Sequence, residues 1–467
     1  MTKTMKLTSE DMSFDQELLK KYDKSLPRYT SYPPATELKV NSGEKEFRLG
    51  IESGNKKKIP LSLYCHIPFC ESACYFCGCN TIITRNKKVA STYLEYIVND
   101  IKETSQLVSS DRLVNQIHWG GGTPNYLNQP QIEILFNTLK DNFNIDKNAE
   151  ISIEVNPKYV DKSLIFFLRD IGFNRISFGI QDFEEKVQNV INRVQPEKML
   201  FQVMDWIKEA KFESVNVDLI YGLPFQNRHT FEKTIEKTIE LNPDRIAVFN
   251  FAYIPWIKPA QKNLPISELP SASEKLAILQ MAINKFNDNN YMYIGMDHFA
   301  KPNDELSIAQ EKGDLHRNFQ GYTTKPESDL LSFGMTSISM LNDVYVQNHK
   351  KIKDYYRTLD EGLLPIEKGF ALSQDDIIRR SIIMELMCQS KLDKNRIKKK
   401  YNLNFNFDEY FAQELIDLKP LENDGLVNLY NDRLEVTNSG RWLIRNIASV
   451  FDPYLKKSKE NTFSKSI

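Results

Sequence analysis

No stretch of this 467-residue chain approaches the ~20 consecutive apolar residues that a membrane-spanning helix needs. The opening residues MTKTMKLTSEDMSF also lack the apolar centre of a secretion signal. The expected location is therefore the cytoplasm, with no membrane insertion. An excess of one charge is missing too: 61 Lys and Arg face 62 Asp and Glu, a formal net charge of -1. Nothing in that balance calls for nucleic acid or an anionic membrane surface as a general partner. Internal repeats and low-complexity tracts are absent, and the length, with 41% hydrophobic residues, allows a large core and two or three domains.

Cysteine is scarce except in one place. Five of the six lie between Cys65 and Cys79 in LYCHIPFCESACYFCGCN, and the sixth, Cys388, sits in a helical pattern, SIIMELMCQS. In a reducing compartment such a cluster suits metal binding better than disulfides. Cys70, Cys74 and Cys77, spaced Cys-x3-Cys-x2-Cys, suit three corners of a [4Fe-4S] cluster whose fourth iron stays open to another ligand. A zinc site made by these three and Cys79 is the alternative. It is disfavoured because Cys77 and Cys79, one residue apart, reach a single ion poorly and no second Cys pair follows downstream.

Along the chain, residues 1 to 55 read as a polar arm around LPRYTSYPPATEL, where Pro27, Pro33 and Pro34 oppose regular helix and predict an extended segment. From 56 to 300, β-rich runs (PLSLYCHIP, NQIHWGG, EISIEVNP, RISFGIQ, SVNVDLIYGLP, RIAVFNFAYI) alternate with amphipathic stretches at 89–107, 129–142, 162–171, 196–211 and 228–241. Repeated βα units of this kind predict an incomplete six-stranded parallel barrel, an α/β fold, with its ligand loops at the carboxyl ends of the strands. From 301 to 467 the alternation fades into a mainly helical C-terminal unit. Two short strands around Asn431-Asp432, followed by a helix, look like a winged-helix element. A DNA-binding wing is disfavoured by the missing basic footprint, since RIKKK at 396–400 is short. The tail KKSKENTFSKSI is expected to be mobile.

Several motifs together resemble the oxygen-independent coproporphyrinogen III oxidases, enzymes of the radical S-adenosylmethionine (SAM) superfamily: PRYTSYP, HIPFCESACYFCGCN, HWGGGTPNYL, EISIEVNP, SFGIQDF, VDLIYGLP, NPDRIAVFNFAY, GMDHFA and LHRNFQGYTT. They span nearly the whole chain. The resemblance implies that Cys70, Cys74 and Cys77 hold a [4Fe-4S] cluster and that two SAM molecules bind. Tyr64, Phe76, Gly121, Glu154 and Ile338 would surround the first SAM; Gly122, Thr123, Gln181, Arg193, Asp218 and Ala252 would surround the second. The residue chemistry agrees, because Glu154 suits ribose hydroxyls, Arg193 suits a carboxylate and Asp218 suits an ammonium or hydroxyl. On residues alone, Arg193 and Asp218 read equally well as ordinary ion pairs.

The same resemblance implies coproporphyrinogen III as substrate, met by Arg28, Tyr29 and Tyr32 of the arm, with Phe319 and Gln320 near the reaction zone. His66 and Cys79 flank the cluster run and would tune it or relay a proton, or serve structure alone. The implied reaction is the anaerobic oxidative decarboxylation of two propionates to vinyl groups, fed by reduced flavodoxin or ferredoxin, in a monomer. A haem-binding trafficking relative and a radical SAM methyltransferase that opens haem are the alternatives. The first would not need Gln181, Arg193 and Asp218 together; the second would share them.

Overall fold

A computed structural model of the chain describes residues 16–40, 43–325, 328–401 and 406–455. The opening MTKTMKLTSEDMSF and the tail KKSKENTFSKSI lie outside the described residues.

Six runs form parallel strands: β1 (Leu61–Ile67), β2 (Leu113–Gly121), β3 (Asn144–Val155), β4 (Arg175–Gln181), β5 (Ser214–Tyr221) and β6 (Arg245–Asn250). Each crossover helix turns one apolar stripe to the sheet, as Ile132, Leu135, Phe136 and Leu139 do in Gln129–Asn142 and Leu200, Val203 and Ile207 do in Glu197–Glu209. Capping side chains set where three of the crossover helices begin. Asn128, Asp161 and Asn227 each accept a backbone N–H three residues on, satisfying a donor that the first turn leaves open. Strands and helices close on one core, in which Trp119 of β2 meets Phe173 edge to face at 5.2 Å.

Beyond β6 the sheet continues antiparallel through β8 (His298–Ala300) to β7 (Met292–Gly295). A separate hairpin joins β9 (His316–Asn318) to β10 (Gly321–Thr323). At the opposite edge, β11 (Asp329–Phe333) pairs parallel with β1, and β12 (Ile338–Leu341), β13 (Val344–Asn348) and β14 (Ile366–Ala371) extend that edge antiparallel. The incomplete α/β barrel is thus present, with β11 as a seventh parallel strand.

Two expectations of domain layout need correction. The mainly helical unit does not start at 301, because residues 329–371 belong to the barrel's own sheet; helices dominate only after Ala371. Nor is the arm wholly extended. Gln16–Tyr22 and Glu44–Lys57 are helices, and the second packs Phe47, Gly50 and Ile51 on β12 to β14, with Gly50 so close to Leu341 that an added Cβ would sit 3.1 Å from it. Between them the proline-bearing residues 27–34 form no regular helix or strand, as their missing donors and fixed φ require, before a single turn at Ala35–Glu37 and a short strand, Lys39–Val40, that pairs with β14.

A second core holds the C-terminal unit together: Ile382, Ile383 and Leu386 of Gln374–Gln389 pack with Leu418, Leu434 and Ile447. Its small sheet carries the anticipated pair, Val427–Leu429 and Arg433–Val436, and a third strand, Lys391–Asp393, that the sequence did not signal. Tyr22, Tyr29 and Tyr32 of the arm insert into this core. No helix among the described residues is long and apolar enough to cross a membrane.

Candidate active site

The carboxyl ends of β1 to β5 converge on a cavity of about 400 Å³. Three consecutive glycines at the end of β2 let its walls approach one another. A Cβ on Gly121, where φ is +117°, would lie 2.6 Å from the His66 ring, and one on Gly122 would lie 2.6 Å from the carbonyl oxygen of Pro68. A Cβ on Gly120 would meet the Glu154 carboxyl at 3.0 Å. Glycine is needed here to bring the cysteine loop, β2 and Glu154 to one rim.

Cys70, Cys74, Cys77 and Cys79 all line this cavity and all are free thiols. Their loop is tied down on every side. Phe69–Cys70 pairs with Ile82–Ile83, Asn192 Nδ2 donates to the Ala73 carbonyl at 2.7 Å, and Tyr75 N–H donates to Ile191 O at 3.0 Å. Lys258 Nζ donates to Cys79 O at 2.7 Å. Gln261, almost fully buried, bridges Phe76 O at 3.4 Å and Ala252 O at 3.1 Å through its amide nitrogen. Burial pushes Cys70 up to about 11 and raises Cys74. Cys77 is instead lowered to about 6, chiefly because the Cys79 thiol hydrogen-bonds to it, while Cys79 itself is raised. Arg193 Nη1 donates to Cys74 Sγ at 3.7 Å. Three thiols on one cavity wall, with a guanidinium beside them to favour the thiolate form, fit an iron-sulfur cluster in their donor chemistry.

The opposite wall is built of strand ends. Glu154 on β3 accepts from Gly121 N–H at 3.3 Å and approaches His118 Nε2 at 3.3 Å, leaving its carboxylate 46% exposed. Gln181 closes β4 with a left-handed φ of +70°, and its buried Oε1 has no donor. Arg193 is held by neutral acceptors, Gln195 Oε1 at 2.9 Å and Gly179 O at 3.4 Å, and forms no ion pair among the described residues. Its reading as an ordinary ion-pair residue is therefore set aside. Burial, and then the nearby Glu154 carboxylate, push Asp218 up to about 7 although Asn216 Nδ2 donates to it at 2.8 Å. Phe76, Gly121, Gly122 and Thr123 complete the expected residues that line the cavity.

Other anticipated residues lie elsewhere. Tyr64 stands behind the wall, stacked on His118 with ring centres 5.8 Å apart, and its hydroxyl donates to His66 Nδ1 at 3.1 Å. His66 Nε2 in turn donates to Asn80 O at 3.1 Å, so the buried ring is neutral with both nitrogens engaged. Ala252 does not line the cavity; its carbonyl accepts from Gln261, which also donates to Phe76 O in the cysteine loop. Ile338, at the start of β12, does not line the cavity; its carbonyl accepts from Ser332 Oγ at 2.6 Å. Tyr29 and Tyr32 cannot offer side chains to a ligand in this conformation, being 1% and 0% exposed in the second core, with Tyr29 Oη donating to Asp452 at 3.0 Å. Arg28 pairs with Asp297 and lies 5.9 Å from the Phe249 ring centre. Phe319 meets Tyr345 edge to face and lines neither cavity. Gln320 lines a second cavity of about 220 Å³ that shares Glu154, Ser177 and Asp218 with the first. Asn192, Lys258 and Gln261 gave no sequence signal, being single polar residues in loops. His118 could have been found from the inward alternation of β2.

Residues 64–238 match the Radical SAM superfamily and residues 372–443 match the HemN C-terminal domain. Fold and cysteine loop together define a radical SAM protein, the class whose cofactors are a [4Fe-4S] cluster and SAM. An oxygen-independent coproporphyrinogen III oxidase of Synechocystis is 61% identical over 99% of this chain and 100% of its own length. Its Escherichia coli counterpart is 46% identical over 99% and 100%. A solved structure of the Escherichia coli coproporphyrinogen III oxidase superposes with a TM-score of 0.91 at 45% identity, covering 95% of this chain and 100% of that one. The chain belongs to the oxygen-independent coproporphyrinogen III oxidases.

Proposed function

We propose that this protein converts coproporphyrinogen III into protoporphyrinogen IX by decarboxylating two of its four propionates. Each –CH2–CH2–COO⁻ arm becomes –CH=CH2, losing CO2, a hydrogen atom and one electron. The observation that carries the proposal is the one cavity that joins the thiols of Cys70, Cys74 and Cys77 to Glu154, Gln181, Arg193 and Asp218. Cys70, Cys74 and Cys77 would hold the cluster. Glu154, partly exposed and positioned by Gly121, would accept ribose hydroxyls of one SAM, and Arg193 would clamp the carboxylate of a second. Asp218, Gln181 and Thr123 would orient that second molecule. The chemistry that bound cluster and SAM supply is abstraction of a hydrogen atom by a carbon-centred radical. This chain's own part is to orient the donor and acceptor carbons and to keep water out, which the walls formed by Phe76, Phe178 and Val155 favour.

His66 braces the cysteine loop, and Cys79 lowers the neighbouring Cys77 thiol through its hydrogen bond. The electron source would be a reduced flavodoxin or ferredoxin, and the setting a cytoplasmic monomer. Incubation of the anaerobically reconstituted protein with SAM, a reductant and either coproporphyrinogen III or haem, followed by mass spectrometry, tests the reading. Loss of two CO2 with two vinyl groups is expected. A ring-opened tetrapyrrole, or haem bound and returned unchanged, would replace it with one of the alternative activities.

A further inference from the structure

The hairpin β9–β10 sets a cation where the fold provides no counter-charge. Arg317 on β9 faces Tyr322 on β10, with its guanidinium carbon 4.7 Å from the ring centre. The residue is only 3% exposed, yet neither Nε nor Nη1 has a hydrogen-bond partner, and no carboxylate pairs with it among the described residues. One more buried donor without a partner belongs to the same region, Gln320 Nε2 in the turn of the hairpin; the neutral His298 ring, whose Nδ1 is likewise unpartnered, lies edge-on to Tyr322 with centres 5.3 Å apart. Gln320, His298 and Tyr322 line the second cavity, together with Phe249, beside which Arg28 lies.

An isolated buried charge, and likewise an unpaired buried donor, costs several kcal/mol. Here the N–H groups of Arg317 and Gln320 lack acceptors in one hairpin, and Gln320 lines the second cavity. Further positive charge sits close by. Arg28 is pushed down to about 9 by burial and then by the charges of Arg317 and Arg445. Arg445, for its part, donates to the carbonyls of Leu26 and Pro27, which tethers the arm and so sets the place of Arg28. The missing partner must be an anion with several acceptor oxygens, a description that suits a carboxylate.

We infer that Arg317, Gln320 and Arg28 form a subsite for a carboxylate of the substrate, at the end of the second cavity walled by Phe249, His298 and Tyr322. That the carboxylate belongs to a propionate arm rests on the proposed function; that the site takes a carboxylate does not. An arm held here would extend from a cavity that shares Glu154 and Asp218 with the cofactor cavity, so an anchored arm and a reacting arm would lie on opposite sides of those two residues.

The test uses the stable oxidised tetracarboxylate, coproporphyrin III, and its neutral tetramethyl ester, each titrated into the anaerobically reconstituted full-length protein and followed by fluorescence. Wild type should prefer the acid. Arg317→Gln should weaken acid binding about 10- to 100-fold, the loss expected for charge-assisted hydrogen bonds, and leave ester binding unchanged. It should also leave the melting temperature unchanged or raised, because the substitution removes an unpaired buried charge. A structural arginine would do the reverse, lowering the melting temperature while sparing acid binding, and that result overturns the subsite. Gln320→Leu serves as the second variant and should lose several-fold in acid affinity. If neither variant changes the preference for acid over ester, the subsite is excluded. A wild-type protein that prefers the acid through Arg317 but forms no vinyl product would keep the subsite and refute the proposed reaction.

Discussion

Sulfur and oxygen differ enough as ligands to separate the four cavity cysteines by single substitutions. Cys70→Ser, Cys74→Ser and Cys77→Ser each replace a soft thiolate by a weak hydroxyl ligand, and each should leave the folded protein without bound iron and sulfide. Cys79→Ser should keep both, because a serine hydroxyl can still donate to Cys77 as the thiol does. Iron and sulfide analysis of the reconstituted variants decides; equal loss in Cys79→Ser would restore the four-cysteine metal site. Glu154 and Arg193 divide the same cavity between two ligands. Glu154→Ala should lower reductive SAM cleavage even without substrate. Arg193→Ala should retain the cluster and bind about one SAM fewer by equilibrium dialysis. Undiminished SAM stoichiometry in Arg193→Ala would remove the second-SAM role.

The edge strand β11 is joined to the barrel by the pair Arg112–Asp329, at 2.6 Å with both side chains at most 2% exposed. Arg112 also donates to Ile59 O at 2.7 Å, next to the start of β1. Removing one member strands the other charge, so Arg112→Ala should destabilise by about 3–5 kcal/mol, whereas the double change Arg112→Met with Asp329→Leu should recover most of it. Denaturant unfolding of both variants measures the difference. This strand also marks where sequence reasoning ran out. β1 to β6 were legible because each carries an apolar run and the first five are each followed by an amphipathic helix, a pattern that periodicity exposes. β11 to β14 are four to six residues long; β11 owes its place to β1, far away in sequence, and β12 to β14 follow it by antiparallel pairing with their sequence neighbours. The site was legible to the same degree. Cys70, Glu154 and Asp218 fall on strand ends or in a recognisable spacing, while Gln261 and Arg317 gain meaning only from what the fold places around them.

Two segments remote in sequence meet where Tyr29 of the arm donates to Asp452 at the C-terminal end of the described chain. Burial pushes the Asp452 carboxyl up to about 6 from 3.8, outweighing the hydrogen bonds from Tyr29 and nearby backbone N–H groups. The native state therefore holds this proton more tightly than the unfolded chain. Its contribution to stability is full below about pH 4 and is lost as pH rises through about 6, roughly 3 kcal/mol in all. Asp452→Asn stays neutral throughout. The melting temperature of wild type relative to this variant should fall between pH 4 and pH 7; a constant difference would show that Asp452 does not titrate in this range. Asp100 and Asp182, each also raised to about 6 by burial, act in the same direction.

The strand that flanks β1, and with it the root of the cysteine loop, is drawn from residues 329–333. A ribosome delivers the loop long before it delivers that strand, and the arm waits still longer for its C-terminal core. The nascent chain thus exposes its thiols while one side of β1 lacks its neighbour. Cluster insertion should follow completion of the sheet, so a chain released after residue 300 should leave the ribosome with all three cysteines and yet fail to retain iron.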